Sequence, residues 1–228
     1  MHNIPIITLD GPSGSGKGTI SRLIAKHLNW HLLDSGALYR LVALVAEQHR
    51  INLTNEAAIA AVAAHLDVQF NTLDDTVQIV LEGEDVTLAI SSEQCAMNAS
   101  RIATHVLVRK ALKARQRAFA KPPGLVADGR DMGTVIFPHA HLKIFLTASA
   151  EERANRRYKQ LKNNSINASL PDVLADIKQR DERDLSRSIA PLKPAQDATL
   201  LDCTGMSISE VFAQLRSLIK IQDFKTQG

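Results

Sequence analysis

Five short apolar runs recur along the chain, and turn-forming or capping residues bound each of them. Continuous apolar runs of this length are typical of strands in a parallel sheet that is buried on both faces. The sequence therefore predicts five buried strands, at residues 4–10, 31–34, 125–128, 142–147 and 199–202.

Helical periodicity fills most of the intervals between the predicted strands. Such alternation predicts an α/β fold, in which right-handed crossovers connect a five-stranded parallel sheet. Ligands bind these sheets at the carboxyl ends of the strands. Four of the five runs carry an aspartate at or near that end: Asp10, Asp34, Asp128 and Asp202. The predicted helices of this core span residues 17–28, 151–161, 172–186 and 209–221.

Residues 35–123 interrupt this alternation and are too numerous for one crossover. Alternating apolar positions at 67–88 predict a small antiparallel sheet, with turns near Asp74-Asp75 and at Gly83. We therefore predict one domain whose core, residues 1–34 and 124–228, carries an inserted subdomain at residues 35–123. Helical patterns within the insertion lie at residues 37–49, 55–64 and 106–120.

Composition and charge exclude several classes of protein. The chain has 228 residues and a formal net charge of +3, which is too mild for a nucleic-acid-binding surface. Its two cysteines, Cys95 and Cys203, are far apart, as expected of free thiols in a reducing cytosol. The apolar run at 4–9 is too short for a signal peptide or a membrane span. We expect a cytoplasmic protein without membrane or nucleic-acid partners.

A glycine-rich segment follows the first predicted strand and opens a helix. In that context backbone N–H groups converge on phosphate oxygens, and the helix N-terminus adds its dipole. Lys17 would supply a mobile cation from an exposed loop, and a chance glycine turn is the alternative. The usual Ser or Thr after the lysine is replaced by Gly18. The predicted ATP-phosphate site comprises Gly11, Pro12, Ser13, Gly14, Ser15, Gly16, Lys17, Gly18 and Thr19.

Charged residues also follow the strand predicted at 125–128. Asp128 is similar to the carboxylate that orders Mg²⁺ in phosphate-loop enzymes. The planar guanidinium of Arg130 can pair with two phosphate oxygens at once. The alternative is a structural ion-pair cluster of Arg130 with Asp128 and Asp131.

A second charged segment lies in the helical pattern at residues 180–187. The three- and four-residue spacing of Arg180, Asp184 and Arg187 places them on one helix face. Taken alone, such a run is more typical of a solvated face. Ser35 likewise has two interpretations, as the N-cap of the helix that follows it or as a ligand contact.

The whole chain resembles the bacterial cytidylate kinases, a family of nucleoside monophosphate kinases. The resemblance rests on the GxxGxGKGT form of the phosphate loop and on residues 31–40, 127–134 and 180–187. It implies a P-loop NTPase core, a monophosphate-binding subdomain at 35–123 and a lid at about 153–171. Composition alone would equally fit an ordinary loop between the two lid helices. The resemblance further implies transfer of the γ-phosphate of ATP to CMP, and to dCMP, in pyrimidine nucleotide metabolism, with Mg²⁺ as cofactor. Separately from the resemblance, we expect a monomer.

Residue roles are carried over from this resemblance position by position. The implied catalytic residues are Lys17, Arg40, Asp128, Arg130 and Arg187. The implied CMP-binding residues are Ser35, Arg40, Ser100, Arg109, Arg130, Asp131, Arg180, Asp184 and Arg187. In the lid helix, one of Arg153, Arg156 and Arg157 is expected to contact ATP, and Arg156 is assigned. No direct metal ligand is assigned, and Asp128 and Thr19 are expected to reach Mg²⁺ through water.

Two other functions fit parts of the pattern. A kinase of another small acceptor, such as UMP or a small polyol, could use the same core, because acceptor identity rests on Ser100, Arg109 and Asp131. A P-loop switch or a nucleic-acid motor would need a long basic face with interleaved aromatic residues. Aromatic residues make up only 4% of the chain, which argues against the motor.

Overall fold

The computed structural model of the chain describes residues 4–73, 76–163 and 167–221. The strands are β1 (Ile6–Asp10), β2 (His31–Asp34), β3 (Val68–Leu73), β4 (Thr76–Leu81), β5 (Glu84–Asp85), β6 (Leu125–Gly129), β7 (Leu142–Thr147) and β8 (Thr199–Asp202). The helices are α1 (Lys17–Leu28), α2 (Ser35–Gln48), α3 (Glu56–Ala64), α4 (Glu93–Ile102), α5 (Val106–Arg117), α6 (Ala150–Asn163), α7 (Leu170–Ser186) and α8 (Ile208–Ile221).

The described residues of Met1–Asp34 and Arg117–Gly228 form one compact unit. Its sheet has five strands in the order β2-β6-β1-β7-β8, and every neighbouring pair is parallel. The predicted fold class, a five-stranded parallel sheet with helices, is confirmed. β1 begins two residues later than the pattern predicted, because Pro5 has no N–H to give to a strand ladder.

Apolar side chains of the central strands and two helices form the core of this unit. Ile7 and Leu9 of β1 are fully buried, as are Ile24 of α1 and Leu215 of α8. All four belong to one hydrophobic cluster. Burying an aliphatic side chain of this size stabilises a fold by about 1.5–3 kcal/mol. The cluster therefore holds the sheet, and the loops that leave its carboxyl edge, in a defined place.

Residues Ser35–Gln116 form the second unit. Its strands β3, β4 and β5 make the small antiparallel sheet that the alternating pattern predicted. The turn expected near Asp74-Asp75 lies outside the described residues. Helix α4 was not predicted; its N-cap is Ser92, whose hydroxyl accepts the N–H of Cys95.

The limits of α7 differ from the predicted ones in a way that affects the candidate site. The hydroxyl of Ser169 accepts the N–H of Asp172, so the helix begins at Leu170 rather than at residue 172. The helix ends at Ser186, and Arg187 lies just beyond it with a ψ of 129°. Within the described parts of the chain, no helix is both long and apolar enough to cross a membrane.

Candidate active site

The phosphate loop connects β1 to α1, and its path depends on glycine backbones. Gly11, Gly14 and Gly16 have φ angles of 146°, 77° and 96°, a region that other residues rarely adopt. A Cβ on Gly11 would lie 1.9 Å from the carbonyl oxygen of Leu146 on β7. Because no side chain fits there, the loop turns tightly against the sheet and brings its N–H groups to the start of α1.

Lys17 is the first residue of α1, and the prediction that it lies on an exposed loop is wrong. Its side chain is buried, since its ammonium group folds back and donates to the carbonyl oxygen of Pro12 at 2.7 Å. The pKa of Lys17 is lowered to about 7, chiefly by burial and then by the cation of Arg130. The carboxylates of Asp128 and Asp10 act in the opposite direction. The charge of Arg180 also lowers this pKa, so two cations act with burial and two carboxylates act against it.

Asp128 lies at the carboxyl edge of the sheet, close to the residue that departs from the common motif. A Cβ on Gly18 would lie 3.4 Å from the Oδ2 atom of Asp128. A side chain at position 18 would therefore touch this carboxylate. The glycine leaves room beside the carboxylate in the first turn of α1, where Thr19 is half-buried.

Asp184 joins two arginines into one buried ion-pair chain. Its Oδ2 atom accepts from Nε of Arg130 at 2.9 Å, and its Oδ1 atom accepts from Arg187 at 2.9 Å. Although burial raises the pKa of Asp184, Arg130, Arg187 and Arg180 together hold it below its usual value. Asp184 and Arg187 are only 4% and 8% exposed, so the solvated-face interpretation is wrong for them.

The contacts of Arg130 reach beyond its neighbours in the sequence. Its guanidinium donates a hydrogen bond to the carboxylate of Asp184, which lies 54 positions away on α7. Asp184 acts on the pKa of Arg130 more strongly than Asp128 does, so the ion pairs of this arginine extend beyond its sequence neighbours. Arg187 contacts Asp184 although it lies beyond the end of the helix and not on the helix face itself.

Arg153 of α6 forms a link that the sequence did not reveal. Its guanidinium pairs with both carboxylate oxygens of Asp181 on α7, at 3.0 and 2.6 Å. It also donates to the carbonyl oxygens of Ala148 and Ser13, at 2.9 and 3.1 Å. The residue thus ties the phosphate loop to both α6 and α7, a role that depends on a partner 28 positions away.

Arg156, one turn further along α6, lies directly against the phosphate loop. Its guanidinium donates to the carbonyl oxygens of Ser15 at 3.3 Å and Cys203 at 2.7 Å. Its Nε atom donates to Glu152 at 2.8 Å. Arg157 instead donates to Gln160 of its own helix. Arg153 and Arg156 thus both contact the phosphate loop, at Ser13 and Ser15 respectively.

Four of the predicted CMP-binding residues belong to the second unit. α2 begins at Ser35 itself, directly after β2, so Ser35 is not placed as its N-cap. Arg40 lies on the same helix, and its carbonyl oxygen accepts from the thiol of Cys95 at 3.2 Å. Ser100 is buried on α4. Arg109 of α5 donates to the carbonyl oxygen of Ala103 at 3.0 Å.

Asp10 is a buried carboxylate of the first unit, for which the sequence predicted only a position at the end of a strand. It is the last residue of β1 and precedes the phosphate loop. Its two oxygens accept the backbone N–H groups of Met132 and Gly133, each at 2.8 Å. A polar residue at the end of an otherwise apolar run was the available signal, but its partners lie 122 and 123 positions away.

Comparison with known proteins identifies the family. A model of the cytidylate kinase family matches residues 7–221. The cytidylate kinase of Pseudomonas syringae pv. tomato is 59% identical over 221 residues, and that of Azotobacter vinelandii is 58% identical over 220 residues; each match covers 96% of both chains. The cytidylate kinase of Shewanella amazonensis is 56% identical over 212 residues, or 92% of both chains. With such similarity along nearly its whole length, the chain belongs to the cytidylate kinase family.

Proposed function

We propose that the protein transfers the γ-phosphoryl group of ATP to CMP, and also to dCMP, giving ADP and CDP or dCDP in pyrimidine nucleotide metabolism. The observation that carries this proposal is the electrostatic pairing around the phosphate loop. Arg130 directly follows Gly129, which lies opposite Asp10 just before the phosphate loop, and its guanidinium is joined through Asp184 to Arg187. The cations of Arg130 and Arg180 also lower the pKa of Lys17. A reaction between two phosphorylated substrates needs such a concentration of positive charge.

The phosphate loop is proposed to bind the ATP phosphates through Gly11–Thr19 and the ammonium of Lys17. The lysine is held by a neutral carbonyl oxygen, that of Pro12, which a phosphate oxygen can replace with a stronger charge-assisted hydrogen bond. A bound polyphosphate raises the pKa of the lysine again, because an adjacent anion favours the ammonium form. Arg156 is proposed to contact ATP from α6.

Mg²⁺ is the proposed cofactor, and the residues near the loop fit a hard cation. Asp128 and Thr19 offer oxygen atoms, the ligand type that Mg²⁺ prefers. In the described stretches of the chain, no group of three or more His, Cys, Asp or Glu side chains could hold a metal ion. Phosphate oxygens and water would therefore supply most ligands, with Asp128 and Thr19 acting through water. When bound, the ion neutralises charge on the β- and γ-phosphates.

The proposed transfer asks little covalent chemistry of the protein. An oxygen of the acceptor phosphate attacks the γ-phosphorus, and the bond from that phosphorus to the β–γ bridging oxygen breaks with its electron pair leaving on ADP. The attacking oxygen is already ionised, so no general base is needed. Positioning and charge neutralisation dominate. Lys17 acts on the donor phosphates, while Arg40, Arg130 and Arg187 hold the acceptor phosphate.

Sugar and base recognition complete the proposal. Arg180 and Asp184 are assigned to the ribose hydroxyls, and Ser35 to the nucleotide. Asp131, which only accepts hydrogen bonds when ionised, suits the amino group of cytosine and repels the carbonyl oxygen of uracil at the same position. Arg109 would donate to the acceptor atoms of the base, and Ser100 can serve as donor or acceptor.

The test is coupled ADP release from the purified full-length protein with CMP, dCMP, UMP and AMP compared side by side. We expect CMP and dCMP to give kcat/KM values at least about tenfold above UMP and AMP, as one well-placed hydrogen-bonded pair would provide. Equal use of UMP would indicate a different acceptor. ATP hydrolysis that is fast without any acceptor would indicate a P-loop switch instead.

Three further assignments accompany this function. We propose that the enzyme acts in the cytoplasm, that it acts as a monomer, and that residues 35–123 and about 153–171 serve as its monophosphate-binding subdomain and its lid. The two buried cysteines are free thiols, which is consistent with a reducing compartment. Size-exclusion chromatography with light scattering tests the monomer, and cell fractionation tests the location.

A further inference from the structure

Asp10 lies beside both ends of the short loop that carries Arg130 and Asp131. In the parallel sheet its backbone lies opposite Gly129, the last residue of β6. Its carboxylate then accepts the N–H groups of Met132 and Gly133 at 2.8 Å each. The chain is thus next to Asp10 at Gly129 and again at Met132. Only Arg130 and Asp131 lie between these two points of attachment.

Close packing on the return side of this loop restricts it further. A Cβ on Gly133 would lie 2.9 Å from the hydroxyl oxygen of Thr8 and 3.2 Å from Cδ of Lys143. The turn that begins at Met132 therefore rests directly on β1 and β7. The backbone of Asp131 is held at a φ of −145° and a ψ of 24°. That backbone limits which rotamers its short side chain can adopt.

A carboxylate is the side chain that can make both attachments at once. It has two oxygens that only accept, whereas an amide of the same shape offers one acceptor and one donor group. Placing a carboxylate in this setting is costly: the pKa of Asp10 is raised to about 7, chiefly by burial and also by the charge of Asp131, although the two N–H groups and the cation of Lys17 favour the ionised form. An apolar residue would avoid that cost but leave two buried N–H groups unpaired.

We propose that Asp10 is a positioning residue for base selection: by holding Met132 and Gly133, it directs the carboxylate of Asp131 toward the amino group of cytosine. This inference rests on the proposed function, in which Asp131 distinguishes CMP from UMP. It adds a residue that contacts no substrate but sets the selectivity of the residue that does. A loss of hydrogen bonding at Asp10 then reduces discrimination between acceptors more than it reduces ATP binding.

The test compares Asp10→Asn with wild type in the full-length enzyme. The asparagine keeps the shape and one acceptor, so one of the two N–H groups loses its partner. We expect the ratio of kcat/KM for CMP to that for UMP to fall by about 5-fold or more, within the range that a single hydrogen-bonded pair provides. The KM for ATP should stay within about twofold. A purely structural role would instead lower both acceptor activities in parallel.

A double-mutant cycle with Asp131→Ala shows whether Asp10 acts through Asp131. If it does, Asp10→Asn changes the CMP-to-UMP ratio by less than about twofold once the Asp131 carboxylate is gone, since coupled residues are not additive. The matched control is Asp202→Asn. That carboxylate also ends a strand and accepts a backbone N–H, from Thr204, but it is exposed and lies on β8. The CMP-to-UMP ratio of kcat/KM in Asp202→Asn should equal that of wild type.

Several results would overturn the inference. An unchanged ratio in folded Asp10→Asn, or equal effects of this substitution with and without Asp131, removes the positioning role. A wild-type enzyme without a preference for CMP over UMP overturns the proposed function itself, and the inference with it. Should Asp10→Asn fail to fold, Gly133→Ala displaces the same turn from its other side, and an unchanged ratio in that variant counts equally against the proposal.

Discussion

The phosphate loop and the Arg130–Asp184–Arg187 ion-pair chain are both suited to bind phosphate, but they are built in different ways. The loop uses consecutive residues and backbone N–H groups, and its shape depends on glycines with positive φ. The ion-pair chain uses charged side chains from two elements 54 positions apart. The loop is therefore specified locally, whereas the ion-pair chain exists only in the folded protein.

The two regions also differ in what a ligand must displace. Lys17 is held by the neutral carbonyl oxygen of Pro12. Arg130 and Arg187 are held by the charged carboxylate of Asp184. A phosphate bound at the loop only has to replace a neutral oxygen as the partner of Lys17. A phosphate bound at the ion-pair chain has to share Arg130 and Arg187 with the carboxylate of Asp184. We expect changes in the loop to affect the rate most and changes in the ion-pair chain to affect acceptor binding most.

The largest effect is expected for Lys17→Met. Removing this cation should lower kcat by about 10²–10³-fold, the usual loss when one transition-state donor is removed. The fold should remain, because the apolar side chain replaces a buried charge. Steady-state kinetics with saturating ATP and CMP measure this effect, and the exposed Lys26 of the same helix, changed to Met, is the control. A variant with near-wild-type turnover would contradict the role of the loop.

The next largest effect is expected for Gly11→Ala. The added Cβ would lie 1.9 Å from a backbone oxygen, and the φ of 146° is unsuitable for alanine. We expect the free energy of unfolding to fall by more than about 3 kcal/mol, a loss typical of strain within a packed structure. Gly205→Ala is the matched control. It also has a positive φ but no atom within 4 Å of its added Cβ, so it should cost only about 1–2 kcal/mol. Equal losses in urea denaturation would show that packing at Gly11 is unimportant.

Asp184→Ala tests the ion-pair chain. It leaves half-buried Arg130 and buried Arg187 without the carboxylate that joins them, a change worth about 1–3 kcal/mol. We expect the KM values for CMP and dCMP to rise by about 5- to 150-fold, the same energy expressed as affinity. The KM for ATP should change by less than about twofold. Glu182→Ala, at an exposed position of the same helix, should stay within about 0.5 kcal/mol of wild type. A raised KM for ATP would mean that the two regions are not separable.

The smallest effect concerns the pH dependence of stability. The pKa of Lys17 is lowered to about 7 in the folded protein, so above pH 7 the unfolded chain binds more protons than the folded one. Stability from this group therefore rises with pH from about 7 toward the ordinary lysine pKa. We expect Lys17→Met to raise the Tm of the ligand-free protein most near pH 7, and the difference to shrink toward pH 10. Calorimetry at several pH values measures it, and a difference that grows with pH would contradict the assignment.

Local patterns predicted much of the fold. The strands at 31–34, 142–147 and 199–202 have their predicted limits, because short apolar runs and their flanking turn residues lie next to each other in the sequence. Helix α4 was missed since its start depends on the Ser92 cap and its pattern is short. In the candidate site, the phosphate loop was recognisable as a motif.

Contacts between distant residues were not predictable in the same way. The burial of Lys17 arises because its ammonium group bends back onto Pro12, which no sequence pattern records. The pairing of Arg153 with Asp181 joins two packed helices, and the attachment of Asp10 to Gly133 joins residues that the sheet brings together. Charge patterns gave the residue types, but folding decided which of them are partners.

The link made by Arg153 bears on how sequences of this kind can change over time. Arg153 donates to the backbone carbonyl oxygen of residue 13, a group that every amino acid has. Replacement of Ser13 by another small residue therefore leaves the link intact. Positions 153 and 181 contribute their side chains, so loss of either charge breaks the connection to α7. Among related chains, position 13 should drift freely while the residue pair at 153 and 181 is kept or lost together.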